Sequence, residues 1–164
     1  MAAVAVFDTE QIVGNAVAKE TSKGLTLTAT FTKLPPGKHG FHIHTAGDLR
    51  EPGCAGACAH FHVGAPANHG DCPSSNKQKE RHTGDLGNIE LTTSSVIYRY
   101  HLEGLNAADI WGRSLIIHAD EDDLGLGPHE DSTTTGHSGA RIGCAIFGRI
   151  ACSKTRTRKI HKTR

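Results

Sequence analysis

The sequence predicts an all-β domain, an antiparallel sandwich or barrel of short strands carrying two long loops. Three observations predict it. Residues 23–33 alternate strictly, with Leu25, Leu27, Ala29 and Phe31 on one face and Thr26, Thr28, Thr30 and Thr32 on the other. The chain is rich in turn formers, with 19 Gly and breaks such as Pro35-Pro36-Gly37. No segment of helical length shows a clean apolar period.

The elements follow in order. After Pro35-Pro36-Gly37, residues 38–45 resume a strand, with Phe41 and Ile43 opposite His42 and His44. Residues 88–91 and 96–102 read as a hairpin pair around the Thr/Ser turn at 92–95. Residues 113–118 and 141–150 complete the strand candidates. Two connections are too long for hairpin turns, from 45 to about 81 and from 119 to about 139. Loops of that length in a compact domain are usually functional or disordered. Both hold histidines, cysteines or dense charge.

At 164 residues the chain suits one domain, placed at 1–151 with a basic tail at 152–164. Aromatics are 5% of residues, so the core rests on Val, Ile, Leu and Ala. Six of the 18 Lys and Arg lie after Cys152. The remaining 12 against 17 Asp and Glu leave the body at about −5. The tail reads either as a solubilising end or as a weak contact for a polyanion. No stretch is long and apolar enough to span a bilayer. Residues 1–8 lack the basic flank of a secretion signal, which gives a cytoplasmic expectation.

Twelve histidines are well above an ordinary share for this length. His42 and His44 project from one face of a strand, as a chelating pair requires, although an isolated pair of this kind also suits two exposed polar residues. His60, His69, His82 and Asp85 follow in a Gly- and Pro-rich loop. Three imidazoles and a carboxylate make a plausible tetrahedral zinc set. His118 closes a later strand. A His-only site beside a His-plus-Asp site suggests two different metals, since carboxylate favours the harder ion.

At these residues the chain resembles the copper/zinc superoxide dismutases. The matching blocks are Gly40-Phe41-His42-Ile43-His44 with Gly47-Asp48, then Arg81-His82-Thr83-Gly84-Asp85-Leu86-Gly87-Asn88. His118 with Asp122-Asp123-Leu124-Gly125 is a third. Glu130-Asp131-Ser132-Thr133 through Gly139-Ala140-Arg141-Ile142-Gly143-Cys144 is a fourth. They keep family order over roughly residues 38–150. The resemblance implies an eight-stranded Greek-key sandwich and an enzyme dismuting superoxide.

It also implies roles. Copper would be held by His42, His44, His60 and His118, and zinc by His60, His69, His82 and Asp85, with His60 bridging both. Asp122 would accept hydrogen bonds from His44 and His69. Arg141 would stand beside the open copper position as a fixed cation. Cys54 and Cys144 would form a disulfide closing about 90 residues, worth roughly 4–5 kcal/mol in the chain-entropy model. A homodimer and loading by a copper chaperone are implied partners. The competing reading is a non-enzymatic, dismutase-like copper chaperone or metal-binding domain.

The chain departs from the family in places. Insertions in the first loop make His62 a competitor of His69; His69-Gly70 keeps the local family pattern. Cys58 and Cys72 either pair or remain free, and Cys152 is left over. Thr134 replaces a guiding Lys, with Lys77 and Lys79 as compensating charges, while His129 and His137 add charge only in acid. Trp111 and Arg149 alter the family's dimer patch.

Overall fold

The computed structural model describes residues 1–75 and 80–150. Nine strands form two antiparallel sheets. They are β1 (Ala2–Asp8), β2 (Val13–Thr21), β3 (Gly24–Lys33), β4 (His39–His44), β5 (Asp85–Ile89), β6 (Val96–Glu103), β7 (Ser114–His118), β8 (Arg141–Ile146) and β9 (Gly148–Arg149). One sheet runs β6-β3-β2-β1-β9 and the other β5-β4-β7-β8. Two four-residue helices, α1 (Ala107–Ile110) and α2 (Ser132–Thr135), and a 3-10 turn, Pro52–Ala57, lie in the connections. The sheets stack as a sandwich and do not close into a barrel.

Alternation puts the inward residues of both sheets into one core. From β3 come Leu25, Leu27, Ala29 and Phe31, all fully buried; Phe41, Ile43, Leu115 and Ile117 face them. Phe31 meets Phe41 edge-on at 5.8 Å and 82°. Burying side chains of this size contributes about 1.5–3 kcal/mol each. Gly14 sits at a register shift, where a Cβ would meet the Phe31 ring at 2.3 Å.

Three expectations change. Residues 88–91 and 96–102 are not a hairpin: β5 pairs with β4 (His39↔Ile89), and β6 pairs with β3 (Leu25↔Leu102, Leu27↔Tyr100). The chain crosses between sheets over 90–95, because Leu86 and Ile89 bury against one sheet and Tyr100 and Leu102 against the other. Tyr98 pins the crossing, its hydroxyl accepting from Glu90 N at 2.7 Å and donating to Glu90 O. The run 141–150 breaks at Phe147: β8 pairs with β7, and β9 pairs with β1 (Ala3↔Arg149). One strand thus switches sheets, and the nine segments amount to eight passes of the chain. Finally, β1 and β2 are strands of their own, which the alternation pattern does not mark.

Cys54 and Cys144 are bonded, with Cα atoms 6.6 Å apart. Cys58 and Cys72 do not form a second disulfide and are free thiols. They lie in different surroundings. The Cys58 carbonyl meets His44 and Arg141, whereas Cys72 packs beside Gly87 and Ser74. Arg149 is not an unpaired charge: its guanidinium lies 4.0 Å over the Trp111 ring. Lys77, Lys79, Cys152 and the tail at 152–164 lie outside the described residues. No helix among the described residues is long and apolar enough to cross a membrane.

Candidate metal centre

Strand β4 is buried along its whole length, because β5 and β7 flank it. His42 and His44 leave it on one face. The first long loop returns alongside β4, with Thr45 N donating to Ala59 O and Phe61 N to Ile43 O, and so places His60 opposite His44. His118 ends β7.

His42, His44, His60 and His118 bring ligand atoms within 4.8 Å of one another; His60, His69, His82 and Asp85 do the same. His60 belongs to both groups. Its Nδ1 lies 2.8 Å from Asp85 Oδ1, while its Nε2 has no hydrogen-bond partner.

The partners of the other ring nitrogens fix which nitrogen is bare. His42 Nε2 donates to Asp122 Oδ2 (2.7 Å), and His44 Nδ1 to Cys58 O (2.8 Å). His118 Nδ1 donates to Gly139 O (3.1 Å), and His69 Nε2 to Asp122 Oδ1 (2.8 Å). The opposite nitrogens of these rings, with His60 Nε2 and His82 Nδ1, are buried and without hydrogen bonds. Six lone pairs turned inward, together with the Asp85 carboxylate, fit cations and little else. Burial pushes His42 down to about 3, His44 to about 2 and His118 to about 4, so these rings are neutral, the form a metal requires. His69 differs: burial opposes its charge, but Asp122 and Asp85 on either side hold it up to about 9. That position calls for a positive charge, which a proton supplies when no metal does.

Asp122 joins the two groups, but through His42 and His69, not His44 and His69 as the sequence reading expected. His44 points the other way, toward the Cys58 carbonyl, and β4 packing decides which of the two rings reaches Asp122. Asn88 holds the Asp122 backbone from both sides, donating to its O at 2.8 Å and accepting from its N at 2.7 Å. The sequence reading gave Asn88 no role, although it closes the second matched block. Gly136, at φ 68, closes α2 over this junction, where a Cβ would fall 2.0 Å from Asp122 Oδ1. His62 lies outside both groups, bonded to Ala65 O and the Thr83 backbone.

Arg141 donates to Cys54 O and Cys58 O, both at 2.6 Å, which fixes its guanidinium over the disulfide loop. It lines a cleft of about 380 Å³ with His44, His60, His118, Asp131 and Thr134. Cys58, whose carbonyl serves both His44 and Arg141, has φ 62 and ψ −150, a conformation essentially restricted to glycine. Replacing Cys58→Gly is expected to stabilise the fold by about 1 kcal/mol, since about 1–3 kcal/mol of strain outweighs glycine's entropic cost of about 0.5–1 kcal/mol. A urea midpoint below that of the parent would refute this.

Fold and site together define a β-sandwich metalloprotein with two adjoining metal sites. The family model for copper/zinc superoxide dismutase (SODC) matches residues 12–147. "Superoxide dismutase [Cu-Zn]" of Paramecium bursaria Chlorella virus 1 is 42% identical over 134 residues, 79% of this chain and 68% of that protein. The protein of the same name from Onchocerca volvulus is 41% identical over 162 residues, 92% and 98% of the two chains. Among solved structures, the clock protein EA4 superposes with a TM-score of 0.77 at 33% identity, covering 91% of this chain and 94% of that one. The chain belongs to the copper/zinc superoxide dismutase family. It is an oxidoreductase whose cofactors are copper and zinc.

Proposed function

We propose that the chain dismutes superoxide with copper on His42, His44, His60 and His118 and zinc on His60, His69, His82 and Asp85. The observation that carries this is the single imidazole of His60 shared by two groups of ligand atoms, six of whose ring nitrogens are buried without hydrogen bonds. Copper held by His42, His44, His60 and His118 would supply one-electron redox chemistry, and zinc held by His60, His69, His82 and Asp85 would be redox-silent. Arg141 draws the anion into the cleft and orients it with a permanent charge. His60 Nε2 is the atom at which a proton is held for the departing peroxide, and a second comes from water. Two superoxide ions and two protons thus become oxygen and hydrogen peroxide.

The non-enzymatic, dismutase-like chaperone is the weaker reading, because Arg141 lines one cleft with His44, His60 and His118 of the copper group. A homodimer is proposed with the enzyme, supported by exposed Val6, Ile146 and Ile150 near the β1–β9 edge. A single domain at 1–151, copper delivery by a chaperone and weak polyanion contact through the tail complete the proposal. A cytoplasmic setting is proposed too, and the free thiols of Cys58 and Cys72 suit a reducing compartment.

The test is superoxide dismutation by the purified protein reconstituted with copper and zinc, beside its metal-free form. Fast, copper-dependent turnover supports the reading; stoichiometric metal without turnover sinks it. Arg141→Ala is expected to slow the reaction roughly ten- to a hundredfold and to weaken its dependence on ionic strength. An unchanged rate would remove Arg141 from the mechanism.

A further inference from the structure

The second long loop holds two histidines that neither metal group uses. His129 and His137 stack face to face, with centroids 3.6 Å apart and planes 10° from parallel. His137 Nδ1 donates to Asp131 Oδ1 at 2.7 Å. His137 has φ 50, unusual for a residue with a Cβ, so the turn keeps this ring in place against a backbone preference. His129 is tied by its N–H to Ser132 Oγ, which in turn donates to Asp123. Asp131 lines the cleft together with Arg141 and three of the copper-group histidines.

The charge around this pair is one-sided. Residues 119–140 hold Asp120, Glu121, Asp122, Asp123, Glu130 and Asp131, and no Lys or Arg. His129 and His137 are therefore the only source of positive charge in the loop. We propose that His137, stacked on His129, is a substrate-steering residue that cancels the charge of Asp131 at the cleft wall.

With both rings neutral, the Asp131 carboxylate keeps its hydrogen bonds from His137 and Thr135, but its charge is not offset where superoxide must pass. One proton on the pair offsets it. A second would place two cations 3.6 Å apart and is opposed. Asp131 is bonded to His137, Asp123 is bonded to the Ser132 hydroxyl that accepts from the His129 backbone N–H, and Arg141 lines the same cleft as Asp131; Asp120 and Glu130 belong to the same loop. Carboxylates outnumber the one fixed cation in this set, so a single proton on the pair meets net negative surroundings. A proton gained there in acid removes the negative charge of the cleft wall.

This rests on the dismutase reading, and its test separates the two. The second-order rate constant of the copper- and zinc-loaded protein is measured from pH 5.5 to 9 at several ionic strengths. His137→Ala is expected to lower it about two- to fivefold at pH 6 and to leave it unchanged at pH 9. His137→Lys carries a fixed charge and should raise the pH 9 rate to the parent's pH 6 value. Independently of turnover, the NMR titration of the His137 ring should move toward lower pH in Asp131→Asn. A His137→Ala enzyme that tracks the parent at every pH and ionic strength overturns the steering role alone. Absence of dismutation in the parent overturns the dismutase reading and the steering role with it, whatever the NMR titration shows.

Discussion

Stripping both metals from the protein is expected to lower its melting temperature by roughly 15–30 °C. Six buried imidazole nitrogens and the Asp85 carboxylate converge with no hydrogen bonds among the bare nitrogens. Ions that bind only the folded chain stabilise it by mass action, about 4 kcal/mol for each site held a thousandfold above its dissociation constant. Two such sites give about 8 kcal/mol, and a domain of this size shifts about 2–4 °C per kcal/mol. Calorimetry of the reconstituted and chelator-treated protein measures the difference. A shift below about 5 °C would mean that the groups do not hold tightly bound ions.

Asp122→Asn is expected to weaken copper binding roughly 10- to 100-fold, and zinc binding less. The carboxylate accepts from His42 with Oδ2, and from both His69 and the Leu124 backbone N–H with Oδ1. An amide has one acceptor, so one side must present an NH2 group. The amide oxygen satisfies two donors at the Oδ1 position, which leaves the NH2 facing the His42 N–H. His42 is gripped within β4 by strands on both sides and cannot turn away, whereas His69 keeps its acceptor, so the loss falls on the His42 group. Asn88 holds the Asp122 main chain, and the fold should survive. Competition with a chromogenic chelator reads the two affinities separately. Equal losses for both metals would refute the argument.

Where inward and outward residues contrast in polarity, as in the Leu/Phe and Thr faces of residues 23–33, the sequence alone reveals the strand. It hides β1 and β2 because the contrast is inverted there. Inward positions are Ala3, Ala5, Ala16 and Ala18, while Val4, Val6 and Val17 point outward. The false hairpin at 88–102 arose because local turn chemistry cannot say that Ile89 and Tyr100 bury against opposite sheets. The side chains that come together in the two groups were legible, since period 2 sets His42 beside His44, the matched blocks hold His82, Asp85 and His118, and His60 and His69 stand in the histidine-bearing loop between blocks. Which ring meets Asp122 was not, because that depends on how β4 packs against a segment about 80 residues away. The stacking of His129 on His137 was equally hidden, being set by a single residue at positive φ.

The strand that changes sheets at Phe147 has a consequence for synthesis on the ribosome. β1 emerges first, yet one of its edges stays open until Gly148 and Arg149 arrive to pair with Val4 and Ala3. The same late segment supplies Cys144 for Cys54 and Arg141 for the cleft. A nascent chain lacking residues 141–149 therefore presents two unpaired edges, on β1 and β7, with the first metal loop untethered. Such edges are templates for pairing between chains, and contacts this distant in sequence form slowly. Ribosomes stalled before residue 141 should thus release a product prone to self-association, whereas those that pass residue 149 release a chain able to seal both sheets at once.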